Sequence, residues 1–563
     1  MIPPLACADT AGARTISAGR FGPSKRERRS YPGNVDSTGG SVAPARDGEP
    51  SPVPVPSLKA AGAAAGLAGA AAALGADAIL HTLWTSVPFT PVSVAQAVIR
   101  VAPGFIDAFF IEKFRHAARP SAVIACGVGF VILAVLSGLA LPALRRALGG
   151  RTGPAAAVLT LPLYAIALAA YGHMSGTVSL AVYSVALLPV LGASAVVAAW
   201  TFRSLTDPAR GASPDALRRR VVNATWIAGL GFVAGWAGLG RFIFRSPNPG
   251  RLRLHLGDVS AAPTPPADTG FGPVPGLAPE ITPNPAFYVV NEELLYPDID
   301  PDTWSLEVGG MVERPYRLSY RELTAMPAVE QFQTLECISN EIGGDLISTA
   351  KWTGIALADL LDRAGVKDGA VEVVSHSVDE FADSMPLATA MRRTTLVAVG
   401  MNDRVLPREH GFPARMLIPG YYGMKMPKWL GRIEVVDHHV AGFWEQRLWD
   451  GDTVKTMSRI DTPRGGQSLH GTATVAGVAF AGGRGISRVE VSTDGGATWS
   501  AATLKPALSP LTWRLWRFEF RPAGETELMV RATDGTGAVQ TGRVTPPEYS
   551  GATGYHEVSF IEG

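Results

Sequence analysis

The chain is short of cysteine, of net charge and, over one long stretch, of charge altogether. Its 563 residues hold 3 cysteines, Cys7, Cys126 and Cys337, which leaves no disulfide framework. Cys7 falls in a Pro/Gly/Ser-rich tail of the kind that stays disordered. Cys126 lies in an apolar run, where a thiol serves as a small hydrophobe. Cys337 alone stands in a soluble context, with no second cysteine to pair with and no cluster of ligands for zinc. Lys+Arg and Asp+Glu nearly cancel, 50 against 49, so no global field points to nucleic acid. From Thr152 to Phe202 there is no Asp, Glu, Lys or Arg at all, whereas charges are frequent after Leu256. A membrane half is joined to a soluble half.

A span needs roughly 20 apolar residues. Ser121–Leu144 and Val221–Gly240 meet this, and the uncharged Thr152–Phe202 run holds two more, broken near "YGHMSGT" (Tyr171–Thr177). Ala60–Leu80, Ala-rich and carrying Asp77, makes a fifth. Val92–Phe114 is amphipathic and interrupted by Pro103-Gly104; it reads as interfacial or re-entrant, with a sixth span as the alternative. The basic tail "SKRERR" (Ser24–Arg29), Arg145, Arg146 and Arg151, and Arg203, Arg210 and Arg218 to Arg220 favour a cytoplasmic N-terminus. Five spans then put the soluble half outside the cytoplasm. Arg241, Arg245, Arg251 and Arg253 argue the other way. His81 and His173 fall at the outer ends of the first and third spans, so an axial haem pair is conceivable, but two interfacial histidines is the preferred reading.

Beyond the Pro/Gly-rich stretch, mixed patterning begins. "TWSLEVGGMV" (Thr303–Val312) and "VEVVSHSV" (Val371–Val378) alternate as strands, and "GIALADLLDRAGV" (Gly354–Val366) is an amphipathic helix. From Thr472 the texture is strands alone with Gly-rich turns, as in an immunoglobulin-type β-sandwich. The blocks "ITPNPAFYVVNEELLYPDIDPDTWSLEVGG", "TLECISN", "KWTGIALADLL", "LPREHGFPARMLIPGYYGMKMPKWLGRIEVV", "VSTDGGATW" and "WRLW" follow in that order. In these blocks, from about Pro279 to the C-terminus, the chain resembles the sulfite-oxidase-like molybdopterin oxidoreductases, in a bacterial membrane-anchored form.

The resemblance implies a cofactor made of a pterin, a phosphate and a dithiolene holding molybdenum. A soft thiolate suits that metal, and one suffices because the dithiolene supplies the other sulfurs. By the same resemblance Cys337 matches the catalytic molybdenum ligand. Tyr288, Asn291, Ser377, His410, Arg415, Met426 and Lys428 match positions that hold the cofactor, Arg415 and Lys428 being suited to its phosphate. The sequence departs from the sulfite oxidases where Val290 and Ile342 stand for arginines and Trp449 for a tyrosine. Sulfite, a small dianion, needs cationic contacts, so a less anionic substrate is expected.

The expected architecture is multi-domain. A disordered tail (1–57) precedes an α-helical transmembrane region of about five helices (58–244) and a linker (245–277). An α+β sulfite-oxidase-type molybdopterin domain (278–455) and an immunoglobulin-like, dimerisation-type β-sandwich (456–563) follow. The expected function is oxygen-atom transfer by a multi-pass membrane oxidoreductase whose catalytic domain lies outside the cytoplasm. It would act on a small substrate other than sulfite, exchange electrons with a separate carrier, and pair as a homodimer, with no nucleic-acid partner. The alternative is a catalytically inactive binding or sensing module on the same fold. Arg218 to Arg220, directly before the last span, read equally as an internal twin-arginine export signal or as an ordinary positive-inside anchor.

Overall fold

The computed structural model describes residues 56–101, 118–172, 179–207 and 254–562, apart from short interruptions, with a few isolated positions between 207 and 254. Among the described residues five helices come first: α1 (Leu58–Leu83), α2 (Thr90–Val101), α3 (Ala118–Ala147), α4 (Thr152–Tyr171) and α5 (Leu180–Thr206). All but α2 are long and apolar enough to cross a membrane. Serines set two of their starts, since the Ser57 and Ser179 side chains accept from Ala60 N and Val182 N. Gly149 and Gly150, both at positive φ, let the chain turn back between α3 and α4. The expected last span, Val221–Gly240, lies outside the described residues except for Asn223 and Trp226, and so do His173, Arg218 and Arg220. The amphipathic segment expected over Val92–Phe114 is helical as far as Val101, and its remainder also lies outside.

Helices α1 and α3 meet through small residues. A Cβ on Gly66 would stand 2.2 Å from the Ala134 carbonyl oxygen, and one on Gly138 2.2 Å from that of Gly62. Close approach of backbones is how apolar helices associate where lipid removes the hydrophobic incentive.

The β-rich half follows. One mixed sheet runs β1 (Val259–Ser260), β4 (Ala328–Glu336), β5 (Ile347–Ala356), β8 (Leu396–Met401), β10 (Arg415–Leu417), with β9 (Arg404–Val405) also on β8. A second runs β3 (Tyr316–Ser319), β2 (Ser305–Gly310), β11 (Leu430–Val436), β6 (Glu372–Ser377), β7 (Ala382–Pro386). Their buried faces share one core with α6 (Leu357–Ala364). Helix α6 buries Leu357, Leu360, Leu361 and Ala364, the 3.6-residue stripe of its sequence, and ends at Gly365 with φ 72°. Part of the expected linker belongs to this body: Val259 and Ser260 pair in parallel with Ala328 and Val329, and Phe271 is buried.

The last body has two antiparallel sheets around a shared core that includes Val475, Val489, Trp516 and Val530. The first sheet is β12 (Met457–Thr462), β14 (Ala473–Phe480), β18 (Arg514–Phe520), β17 (Thr503–Leu504). The second is β16 (Ser500–Ala501), β15 (Ile486–Ser492), β19 (Glu527–Asp534), β20 (His556–Ser559). The pair β13 (Ser468–Leu469) and β21 (Ile561–Glu562) stands beside them. An apolar cluster containing Ile338, Tyr422, Trp444, Trp449, Phe480 and Trp513 joins this body to the preceding one.

Candidate functional site

Cys337 follows the last residue of β4 and enters a tight loop. Its N–H donates to Leu346 O at 2.9 Å, and its carbonyl accepts from Asn340 N at 3.0 Å. Asn340 closes that loop: its amide donates to Glu336 Oε1 at 2.9 Å and its carbonyl oxygen accepts from Leu346 N at 3.0 Å. The thiol is thereby held buried on the wall of a cleft.

Tyr288, Asn291, Cys337, Ser377, Arg415, Met426 and Lys428 all line this cleft. They come from distant places: the stretch before β2, the ends of β4 and β6, the start of β10, and the loop that leads into β11. His410 does not line it. Its carbonyl accepts from Arg415 Nη1 at 3.3 Å, and its ring stands edge-on to Phe287 at 5.2 Å. Burial, then the charges of Lys428 and Arg415, push the His410 imidazole down to about 3, so it is neutral near pH 7. Its Nε2 is 3.4 Å from Asn284 O, a carbonyl that only accepts, so the proton sits on Nε2.

Arg415 is nearly fully buried, and burial lowers its guanidinium to about 10. It packs 5.4 Å from the Trp352 ring centroid. Lys428 Nζ donates to Val290 O and Glu409 O, each at 3.1 Å, and to Asn291 Oδ1, clamping the 288–291 segment against the 409 loop. Two glycines make room for these groups. A Cβ on Gly423 would stand 2.7 Å from the Tyr288 hydroxyl, and one on Gly411 2.9 Å from Lys428 Cβ. The Tyr288 phenol is raised well above its ordinary value, first by burial and then by the Cys337 charge.

Among the described residues, four buried cleft groups have polar atoms without partners: Arg415 Nε, Asn291 Nδ2, Ser377 Oγ and Trp449 Nε1. Buried polar groups are normally satisfied, and an orphan of this kind signals something to be bound. All can donate. The cleft therefore presents cationic and neutral donors to an acceptor-rich, anion-bearing group, with a thiol at one wall.

Several lining residues were not singled out by sequence reasoning. Trp444 packs against Trp449 with centroids 5.3 Å apart, and Phe287, Phe381 and Trp429 complete an aromatic wall. The motif "FWEQRLW" held that signal, since clustered aromatics without helical spacing mark a shaped pocket. Asp379 also lines the cleft, and burial raises its carboxyl to about 6. Of the positions where arginines were expected, Val290 lines the cleft and Ile342 does not. Ile342 instead packs on Gly554, where an added Cβ would meet its Cδ1 at 2.6 Å.

His81 Nδ1 lies 2.7 Å from Val87 O.

Residues 293–444 match the family model described as oxidoreductase molybdopterin binding domain, and residues 453–547 the Mo-co oxidoreductase dimerisation domain. The mitochondrial sulfite oxidase of Macaca fascicularis is 35% identical over 328 residues, 49% of this chain and 60% of that protein. The sulfite oxidase of Gallus gallus is 32% identical over 320 residues, 47% of this chain and 69% of that protein. Among solved structures, the sulfane dehydrogenase SoxCD from Paracoccus pantotrophus matches with TM-score 0.44 and 24% identity, covering 48% of this chain and 80% of that one. The chain thus spans 60% of the length of the mammalian relative.

Proposed function

The chain belongs to the sulfite-oxidase-like molybdopterin-dependent oxidoreductases, and on that premise we propose that it is a membrane-anchored enzyme transferring an oxygen atom to or from a small substrate. The bound cofactor supplies two-electron redox chemistry coupled to oxygen-atom transfer. The observation that carries the reading is the meeting of a buried thiol, two cationic side chains and unpartnered donors in one cleft. That donor set suits the group: a soft thiolate for molybdenum, cations for a phosphate, and amide and hydroxyl groups for the edge of a pterin.

In this reading Cys337 is the metal ligand. Arg415 binds the phosphate and Lys428, its N–H groups on Val290 O, Glu409 O and Asn291 Oδ1, adds its charge beside it, and Tyr288, Asn291 and Ser377 orient the pterin while Met426 fills the space beside it. His410 is a positioning residue, whose carbonyl aims the Arg415 guanidinium. The 278–455 segment forms the catalytic domain, and 456–563 an immunoglobulin-type sandwich through which two copies pair. The four described apolar helices anchor the chain in the membrane, with the catalytic half outside the cytoplasm.

Substrate choice follows from Val290 and Trp449. One expected cation is replaced by an apolar side chain, and an indole N–H without a partner faces the cleft. A lost charge-assisted hydrogen bond to a buried anion weakens binding about 10- to 100-fold. The favoured substrate is therefore neutral, such as a sulfoxide or an N-oxide. To test this, molybdenum and pterin are measured in the purified full chain. The loaded protein is then assayed for sulfite oxidation with ferricyanide and for dimethyl sulfoxide reduction with reduced methyl viologen. Bound molybdenum with faster sulfoxide turnover is expected. Absence of both molybdenum and pterin would sink the enzyme reading, and efficient sulfite oxidation would sink the substrate reading.

A further inference from the structure

A second, narrow cavity lies inside the apolar helix bundle. Its wall includes Ala73 and Asp77 of α1, Thr90 at the start of α2, Ala167 of α4, and Leu187 and Ser194 of α5. Asp77 is 2% exposed. Its Oδ2 accepts from Thr90 N at 2.8 Å, which caps α2, while Oδ1 has no partner among the described residues. Capping thus explains one carboxyl oxygen and leaves the other. A carboxyl inside a membrane bundle is costly and normally has a use.

The chemistry around Asp77 narrows what can bind. A metal ion needs several oxygen ligands, and no group of three or more His, Cys, Asp or Glu side chains occurs among the described residues. A lipid acyl chain would fill the apolar wall but leave Oδ1 unsatisfied. A ring with an apolar body and an oxygen at its edge satisfies both. A carboxyl accepts a hydrogen bond when ionised and donates one when protonated. It can therefore pair with an oxygen that is a hydroxyl in one redox state and a carbonyl in the other.

Helix α2 links this cavity to the catalytic cleft. Thr90 begins it at the cavity, and Arg100, near its other end, donates to Asp379 O at 3.1 Å and pairs with Glu380 at 3.2 Å. Arg447 in turn donates to Arg100 O at 3.2 Å. Asp379 lines the catalytic cleft. Ten residues at 1.5 Å each put Thr90 and Arg100 about 15 Å apart along the helix.

We infer that the Asp77 cavity binds the head group of a quinone or quinol, which serves as the electron carrier for the catalytic cleft. The binding site stands independently; its role as electron donor rests on the oxygen-transfer reading above. In the reductive direction the two O–H bonds of the quinol release two protons and two electrons, leaving the quinone. The substrate X–O bond breaks, and its oxygen leaves with two protons as water: QH2 + XO gives Q + X + H2O.

The test uses the full chain, loaded with cofactor, in lipid nanodiscs. Menadione binding is followed by quenching of tryptophan fluorescence, and dimethyl sulfoxide reduction is driven either by menadiol or by reduced methyl viologen. Saturable binding is expected, weakened about 10- to 100-fold in Asp77→Leu, which has no O–H to donate to a quinone carbonyl. Ala167→Leu, which fills the cavity without touching the carboxyl, should weaken binding as well. Both variants should lose menadiol-driven turnover and keep viologen-driven turnover. Equal affinity in the wild type and both variants, or no saturable binding to the wild type, would overturn the site. Absent viologen turnover in the wild type would count against the oxygen-transfer reading instead, with the binding comparison still deciding the cavity.

Discussion

Cys337 shows how much one side chain depends on its loop. Asn340 and Leu346 fix its backbone, so replacing sulfur by oxygen should leave the fold in place. Cys337→Ser is expected to abolish turnover and change the metal's absorption spectrum, while the melting temperature stays near that of the wild type. Unchanged turnover would remove Cys337 from the metal. His410 offers a test that needs no cofactor. Its folded pKa is depressed to about 3 from an ordinary 6.5, so between these values the unfolded chain binds more protons than the folded one. Its contribution to stability is complete above pH 6.5 and is lost as pH falls toward 3. His410→Phe removes the titration. The stability of the wild type relative to this variant should fall on acidification over that window, in thermal unfolding of the two proteins side by side. A gap independent of pH would show that the imidazole is not buried as a neutral group.

At the scale of elements, the α1–α3 crossing is the sharpest constraint. Gly66 and Gly138 sit where a Cβ would collide with the partner helix's carbonyls, whereas one on Gly127, also in α3, would meet nothing within 4 Å. Gly66→Val should cost about 1–3 kcal/mol through overpacking, and Gly127→Ala should be neutral. Thermal aggregation of the detergent-solubilised variants measures this. Equal midpoints would mean that the two helices do not cross there. The catalytic strands behave differently: β5 is buried along nearly its whole length and tolerates little on either face, while β19 alternates exposed and buried positions. Helix α2 is the element that ties the apolar bundle to the cleft, through Arg100.

At the scale of the whole molecule, the proposed topology has a definite readout. A reporter fused after Gly563 should lie outside the cytoplasm and one before Met1 inside it. A cytoplasmic C-terminal signal would mean an even number of spans. The apolar cluster around Trp444, Trp449 and Trp513 joins the two β-rich bodies, and Arg459 adds a bond to Gly344 O at 2.7 Å.

The sequence by itself determined the division into an apolar helical half and a β-rich half, because hydropathy and periodicity are local. Thr152–Phe202 without charge, and the α6 stripe, need no tertiary information to be read. It also determined the family, because blocks such as "TLECISN" and "HGFPAR" keep their order along the chain. The meeting of those blocks was decided only by the tertiary structure. Tyr288 is held by its N–H on Ser348 Oγ of β5 and Lys428 by its bonds to Val290 O and Glu409 O, and no local signal distinguishes Val290, which lines the cleft, from Ile342, which does not. Likewise Asp77 was legible as a charge in an apolar run, but not as the polar end of a cavity. Its helix neighbours are set by period 3.6, whereas the walls facing it come from four other helices, whose approach depends on glycines and close packing rather than on pattern.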